Sequence, residues 1–488
     1  MEATSLKNRT LKGVSWSFVD NIANSGISFL VGLVLANLLS PSEYGVLAMI
    51  TIFIAISDSI IDCGFSSALV RKEKLRSIDL NTVFYFNLVV SFCLYFVLYV
   101  IAPYISLFFS EPILLPITRV LGCVLVVNAL AIIQRTILVR NIDFKTQTKV
   151  SFVSSISSGI IGISMALSGC GAWSLVGQQI SRQLFNTIFL WLHGTWRPAW
   201  EFSYQSFKEL FSFGSKLLIS GLIHIIYQNV SYFVIGRVYS AASLGQYTRA
   251  YQFSSIFSNN LTTVVQRVSY PVLSSIQNDP DRLRMAYCKI IRITMFVTFV
   301  CMFLLAAVAK SMILVLIGEK WLPAVQYLQI LCLSGMFFPL QAINLNILQV
   351  KGRSDLYLKL EIIKKIIGSI PILLGVFVSI TAMLWCLVVV SFVFFLLDSS
   401  YSASLIKYST LNQIKDISKS FIVACGTAVI VWSVNLINLP IFLILFIQGV
   451  LGGGLLLCVC EWMELQEYKW VKQIVIDFYY SKLSFLHK

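Results

Sequence analysis

The amino-acid sequence predicts an all-α protein that crosses a membrane many times, and three observations predict it. Of the 488 residues, 57% are hydrophobic and only 12% charged, whereas a soluble domain is about 45–50% apolar and roughly 25% charged. The mean hydropathy is +0.82. Apolar stretches between polar breaks are long enough to span a bilayer, which takes about 20 residues each. Cations cluster at every second break: Lys7/Arg9/Lys12, Arg71/Lys72/Lys74/Arg76, Arg140/Lys145/Lys149, Arg282/Arg284/Lys289 and Lys351/Arg353/Lys359. Breaks between them, near Glu43, Glu111 and Gly169-Cys170-Gly171, carry few cations or none. Basic loops stay cytoplasmic, so the alternation places the N-terminus inside.

The spans run 14–39, 44–70, 80–109, 113–138, 148–168 and 172–193. After the polar stretch 194–210 follow 211–238, 246–277, 287–308, 323–349, 357–379, 381–406, 417–437 and 440–460. About fourteen helices return the C-terminus to the cytoplasm, where its basic tail (Lys469, Lys472, Lys482, Lys488) belongs. The first span follows a basic segment as a secretory signal would. It holds Asp20 and Asn21, lacks a small-residue cleavage site and extends to about Leu39, so it reads as a first helix. No break is long enough to hold a folded extramembrane domain, which counts against a membrane-embedded polymerase or ligase.

The net charge of +15 sits on one predicted membrane face. Topology and attraction to anionic lipid account for it, and nucleic acid is not called for. The eleven cysteines form no CxxC and no Cys/His pair with zinc spacing, and the three histidines are dispersed, so no metal is expected. No Walker loop, dinucleotide fingerprint or nucleophile elbow appears. Neither ATP hydrolysis nor other catalysis is expected, and Gly452-Gly453-Gly454 reads as close helix packing.

The chain also echoes itself. Ser40-Pro41-Ser42-Glu43-Tyr44-Gly45 recurs 200 residues later as Ser240-Ala241-Ala242-Ser243-Leu244-Gly245. Pro116 and Gln134 are answered 207 residues later by Pro323 and Gln341. Several matches in register predict two pseudo-symmetric six-helix lobes sharing one orientation, with two further helices outside the repeat. The expected divisions are an N-terminal lobe 1–195, a cytoplasmic linker 196–210, a C-terminal lobe 211–408, two extra helices 409–465 and a basic tail 466–488.

Polar residues within spans should face a cavity or one another. Helix one carries Ser17, Asn21, Asn24 and Ser28 on one face; helix seven carries Ser220, His224, Gln228 and Ser231 at similar spacing. Helix two presents Thr51, Asp58 and Asp62. Helix eight is the least apolar, lined by Gln252, Ser255, Asn259, Thr262, Gln266 and Arg267. These stripes predict a water-filled central cavity. Asn21, Asn24, His224, Gln228, Arg249, Asn259, Gln266 and Arg267 are the candidate substrate-binding residues.

Each charge has a plainer reading beside the functional one. Asp20 either pairs with Lys12 or Lys216 or lines the cavity. Asp58 and Asp62 either bind a coupling cation or proton or form a structural salt bridge. Arg267 and Arg249 either contact phosphate or snorkel to the interface. His224 is either a titrating group or a hydrogen-bonded structural histidine. Arg135, Arg182 and Arg292 are expected to cap inner helix ends.

Four stretches carry a resemblance: Leu11-Lys12-Gly13-Val14-Ser15-Trp16, Leu38-Leu39-Ser40-Pro41-Ser42-Glu43-Tyr44-Gly45, Asp62-Cys63-Gly64-Phe65-Ser66-Ser67-Ala68-Leu69-Val70 and Leu244-Gly245-Gln246-Tyr247-Thr248-Arg249-Ala250-Tyr251. With them the chain resembles the Wzx-type polysaccharide transporters, in the branch of the colanic-acid and teichuronic-acid exporters, within the multidrug/oligosaccharidyl-lipid/polysaccharide exporter superfamily. The resemblance implies a MATE-like V of two lobes around a central cavity that alternates between inward and outward openings. It implies a flippase moving undecaprenyl-pyrophosphate-linked oligosaccharide repeat units across the bacterial inner membrane, for O-antigen, capsule or exopolysaccharide. It further implies Arg249 and Arg267 at the pyrophosphate, coupling to H+ or Na+ without another cofactor, and as partners membrane lipids and a polysaccharide polymerase or assembly complex. Competing readings are a multidrug exporter of the same superfamily, which Asp58 and Asp62 favour, a polymerase or ligase, and a non-transporting scaffold.

Overall fold

A computed structural model describes residues 26–473 and 476–477. Every regular element among these residues is a helix. In chain order they are α1 (Gly26–Leu38), α2 (Pro41–Asp62), α3 (Phe65–Arg71), α4 (Ser77–Phe109), α5 (Leu114–Leu121), α6 (Cys123–Arg140), α7 (Phe144–Leu167), α8 (Ala172–His193) and α9 (Tyr204–Val238). Then come α10 (Ala241–Ser275), α11 (Pro280–Leu316), α12 (Leu322–Gly335), α13 (Phe338–Val350), α14 (Ser354–Ile367), α15 (Ile370–Phe377), α16 (Ile380–Ile406), α17 (Thr410–Ser433) and α18 (Ile441–Trp462).

Ten helical segments among the described residues are long and apolar enough to cross a membrane: Pro41–Arg71, Ser77–Phe109, Leu114–Arg140, Phe144–Leu167, Tyr204–Val238, Pro280–Leu316, Glu319–Val350, Ile380–Ile406, Thr410–Leu436 and Ile441–Trp462. The protein is a multi-pass membrane protein. Four further helical stretches fall short of that measure. The described part of α1 is short, and α8 and α10 carry runs of Gln, Asn, Ser and Arg. The stretch from α14 to α15 is interrupted at Gly368 and Ser369.

By their internal contacts the residues fall into two compact units, Met1–Gly245 and Gln246–Lys488. In the first, α7 lies along α8, α6 packs against α4 and α8, and α2 packs against α9. The span expected as a continuous helix over 44–70 is broken. Cys63 (φ 47°) and Gly64 (φ 70°) turn the chain through the left-handed region, where a residue without a side chain costs least. The corner receives α9 closely: a Cβ on Gly64 would stand 2.7 Å from the Gly214 carbonyl oxygen. Phe65 follows, wholly buried, in edge contact with Phe86 at 5.3 Å between centroids. Arg140, at the end of α6, donates to the carbonyls of Leu69 (2.6 Å), Lys72 (2.6 Å) and Glu73 (3.0 Å). It thereby satisfies α3's orphan C-terminal acceptors.

The repeated Ser-Pro-Ser-Glu motif is a helix start. Ser40 and Glu43 form a capping box, with Pro41 in the first turn. The later copy is a simpler cap, in which Ser240 Oγ accepts from the Ser243 amide at 3.1 Å. The two copies lie against each other. A Cβ on Gly45 would fall 1.7 Å from the Ala241 carbonyl oxygen, and one on Gly245 would fall 1.8 Å from that of Pro41. Glycine at both positions is therefore a condition of this reciprocal backbone contact.

In the second unit, α11 packs against α12 and α17, α16 packs against α12, α13 and α15, and α18 packs against α11 and α17. Buried polar groups join these helices. Tyr287 Oη (2.7 Å), Ser402 Oγ (2.5 Å) and Gln413 Nε2 (3.2 Å) all donate to Asn344 Oδ1. Lys364 Nζ meets the fully buried Asp398 at 3.0 Å. Arg292 pairs with Asp416 at 2.6 Å, so it links α11 to α17 instead of capping a helix end.

Replacing Gly45 or Gly245 by Val should lower the thermal midpoint of the detergent-solubilised protein. The cost should reach or exceed the upper end of the about 1–3 kcal/mol typical of overpacking, because a backbone must move. Gly454→Val, whose Cβ meets nothing within 4 Å, should leave the midpoint unchanged. Lys364→Met should cost about 3–5 kcal/mol by stranding the Asp398 carboxylate, and adding Asp398→Leu should recover most of that loss.

Candidate functional site

Four helices of the first unit, α2, α6, α7 and α8, enclose a cavity of about 720 Å³. Its charged lining is Asp58, Arg135 and Arg182, and six carboxamides join them: Asn128, Gln147, Gln178, Gln179, Gln183 and Asn186. The stripe on α8 follows from helical geometry. Gln178, Arg182 and Asn186 recur every four residues, as do Gln179 and Gln183, which brings them to one side. The remaining wall is aliphatic, including Leu47, Ile54, Val124 and Leu175.

Asn128 is the hub of the hydrogen bonding. Its Nδ2 donates to Asp58 Oδ1 at 2.9 Å. Its Oδ1 accepts from Gln183 Nε2 at 2.9 Å and, at 3.5 Å, from the Arg135 guanidinium. Asp58 and Asp62 both supply opposing charge to Arg135. A second cavity of about 540 Å³ shares Asp58, Asn128 and Arg135 and reaches Asp62, Ser66 and Arg71. There Asp62 accepts from the Ser66 amide at 3.3 Å and from the Ser66 hydroxyl. Arg182 makes no hydrogen bond or ion pair among the described residues. The carboxamide oxygens of Gln147 and Asn186 are buried without a partner.

The sequence-predicted residues separate into groups. Asp20, Asn21 and Asn24 lie outside the described residues. Asp58 and Asp62 line the two adjoining cavities. His224 and Gln228 are exposed one turn apart on α9, with their Nε2 atoms 3.5 Å apart. Asn259, Gln266 and Arg267 are exposed along α10. Arg249 is held in the interior, 5% exposed. It donates to Gln252 Oε1 at 2.5 Å and stands 5.8 Å from the Trp321 ring centroid.

Arg135 and Arg182 were expected to cap inner helix ends. Both instead line the cavity, Arg182 from the middle of α8. Asn128 and the α8 glutamines also went unselected. The four-residue recurrence on α8 was the available signal. It is the same pattern that marked helices one and seven.

A sequence profile described as polysaccharide biosynthesis protein matches residues 34–326, more than half of the chain. The chain belongs to that family. Among its relatives is the teichuronic acid biosynthesis protein TuaB of Bacillus subtilis, 25% identical over 436 residues, covering 88% of this chain and 90% of TuaB. Another is the lipopolysaccharide biosynthesis protein WzxC of Escherichia coli, 23% identical over 377 residues and 76% of each chain. The Wzx-type resemblance read from the motifs around Ser40, Asp62 and Leu244 is thereby shown. Among solved structures the fold is similar to that of the lipid II flippase MurJ in an inward closed conformation. The TM-score is 0.73 at 15% identity, covering 92% of this chain and 97% of that one. An inward-facing MATE-family multidrug resistance transporter follows at 0.62 and 13% identity, covering 79% and 96%. The chain thus has an all-helical fold similar to those of MurJ and a MATE-family transporter.

Asn128→Leu should remove the donor to Asp58 and the acceptor for Gln183 and Arg135 at once. A loss of about 1–3 kcal/mol, the cost of stranding buried polar partners, is expected in thermal unfolding. The exchange Asp58→Asn with Asn128→Asp keeps one donor and one acceptor in place and should restore part of it.

Proposed function

We propose that the protein is a flippase that moves undecaprenyl-pyrophosphate-linked oligosaccharide repeat units across the bacterial cytoplasmic membrane for surface polysaccharide synthesis. It does so by alternating access, without chemistry of its own. One observation carries the reading: a cavity lined by two guanidiniums and six carboxamides, built from helices of a multi-pass membrane protein. Sugar hydroxyls and phosphate cannot cross hydrocarbon unaided at useful rates, because stripping their water costs several kcal/mol for each unmatched polar group. Carboxamides and guanidiniums replace that water. The prenyl tail needs no such shelter and stays in lipid.

Family membership and the names of its relatives support the glycan, and the shared fold supports movement of a lipid-linked substrate. In this reading α1, α8, α10 and the α14–α15 pair also cross, giving fourteen crossings with both termini cytoplasmic. The exposed His224, Gln228, Asn259, Gln266 and Arg267 contact the polar head. Asp58 and Asp62 serve coupling to H+ or Na+, and a polysaccharide polymerase takes the product. The multidrug reading requires an acid free to meet an organic cation. Asp58 is engaged by Asn128 and stands against the Arg135 charge, which favours the glycan.

Deletion should make lipid-linked repeat units accumulate on the cytoplasmic leaflet with their synthesis unchanged. Arg182→Gln and Arg267→Gln should each cut export about tenfold or more at equal protein level, the effect of losing one charge-assisted contact. Deletion that altered only drug sensitivity would hand the function to the multidrug reading.

A further inference from the structure

On the surface of the first unit, α6 and the last two turns of α8 form a groove of about 440 Å³, lined by Leu130, Thr187, Ile188, Trp191, Leu192 and Arg197. The polar groups of its wall are turned inward. Thr187 Oγ1 donates to the Val127 carbonyl at 3.0 Å and Trp191 Nε1 to that of Leu130 at 2.9 Å. Ile188 and Leu192 stand exposed. The groove therefore offers an apolar wall with one cation where α8 ends.

That cation is held in place. Arg197 Nη1 donates to the carbonyls of Gly194 (2.7 Å) and Trp196 (2.9 Å), and Nη2 donates to that of Trp191 (3.1 Å). Its guanidinium carbon stands 5.6 Å from the Trp191 ring centroid. These bonds close the C-terminal end of α8. They orient the guanidinium, but a carbonyl dipole does not cancel its charge. Of the five N–H groups of a guanidinium, these bonds engage three, which leaves donors for an outside acceptor.

The residues that follow mark the depth of the groove. Trp200 is 93% exposed and stacks on Tyr85, with centroids 5.1 Å apart. Phe202 and Tyr204 are exposed beside it. Tryptophan and tyrosine at the end of a crossing helix belong to the headgroup layer. Arg197 then stands at headgroup level, and the groove runs from it into hydrocarbon.

An occupant with an apolar chain and an anion at one end fits both parts. An empty groove at that depth would leave its walls without contacts. We propose that the α6–α8 groove binds an anionic glycerophospholipid, with an acyl chain along Leu130, Ile188 and Leu192 and the phosphodiester on Arg197. One cation matches the single charge of a phosphodiester. The more heavily charged diphosphate of a prenyl lipid would call for further cations. This inference shares with the flippase reading only the placement of α8 across the membrane, and it is independent of what is transported.

Full-length protein, delipidated in neutral detergent, is titrated with dioctanoyl phosphatidylglycerol, zwitterionic dioctanoyl phosphatidylethanolamine and undecaprenyl phosphate. Binding is read by native mass spectrometry and by thermal midpoint. Phosphatidylglycerol should saturate and raise the midpoint, as a ligand of the folded state does. It should bind about fivefold more tightly than phosphatidylethanolamine, the contribution of one basic residue at an anionic surface. Arg197→Gln should erase that preference while phosphatidylethanolamine still binds, a change of ratio that general unfolding does not produce. Ile188→Trp, which fills the groove and leaves the Arg197 bonds in place, should weaken both phospholipids. Val450→Trp, at an exposed position of α18, should bind as the wild type does. Equal binding of the two phospholipids, a preference that survives Arg197→Gln, or undiminished binding by a well-folded Ile188→Trp overturns the inference. Undecaprenyl phosphate bound more tightly than phosphatidylglycerol, and lost in Ile188→Trp, also overturns it and gives the groove to the transported lipid. Accumulation of repeat units on deletion tests the flippase reading by itself, so either claim can fail alone.

Discussion

A charge placed among membrane-spanning helices has to find its counter-charge and its hydrogen bonds within the protein, because hydrocarbon offers neither. Most of the interior obeys this with partners on different helices. Lys364 meets Asp398 between α14 and α16, and Arg292 meets Asp416 between α11 and α17. Asn344 gathers donors from α11, α16 and α17. Each pairing fixes one helix against another as well as neutralising a charge, and breaking such a pair costs about 3–5 kcal/mol. Gln147 and Asn186 are among the described side chains that depart from this, each with a buried carboxamide oxygen that has no partner, and both line the same cavity.

The in-register sequence matches do not extend to the cavity. The shared glutamine keeps its work: Gln134 Nε2 donates to the Trp196 carbonyl at 3.0 Å, and Gln341 Nε2 to that of Ser391 at 2.9 Å. The cavity residues do not. At the offsets of 200 and 207, Asp58, Asn128 and Arg135 become Ser258, Gly335 and Ala342. The second unit retains the contact but not the chemistry. A Cβ on Gly335 would stand 3.2 Å from Ser258 Cβ and 2.9 Å from the Met302 methyl. Where the first unit holds an acid, an amide and a cation around open space, the second holds small residues packed shut beneath a methionine, the side chain that best fills irregular gaps.

The parts of this arrangement that were legible in the sequence are the local ones. Hydrophobic length located the ten spanning helices of the described residues, and the Ser40 and Ser240 motifs marked helix starts that the capping bonds bear out. The break at Cys63 and Gly64 was hidden because the residues on both sides are equally apolar, and only the approach of Gly214 makes the corner necessary. The contact of Arg249 with Trp321 was not legible, because Trp321 lies far along the chain. Arg135 and Arg182 looked like terminal caps for the converse reason. Their cavity is made by four helices, and no single helix shows that its polar face meets open space. The exposed stripe of α10 was plain because so many polar residues fall on one helix.

A transporter's site must also let go. A cavity that met an anionic glycan with two free guanidiniums would hold it in a deep electrostatic well, and release would become the slow step. The network around Asn128 avoids this. Asp58 and Asp62 set negative charge beside Arg135, and Asp58 ties it down through a neutral amide, so that on the proposed function Arg135 is not free to grip the ligand. The remaining contacts are carboxamides, whose individual bonds to hydroxyls are worth only about 0.5–1.5 kcal/mol after exchange with water. Many weak, exchangeable contacts around one modest charge suit passage better than tight capture, as they do in selective channels, where a bound ion must also be free to leave. By this argument Asp58 matters to turnover even apart from any coupling ion. On the proposed function, its part is to keep the cavity's attraction for the substrate shallow enough to be reversed.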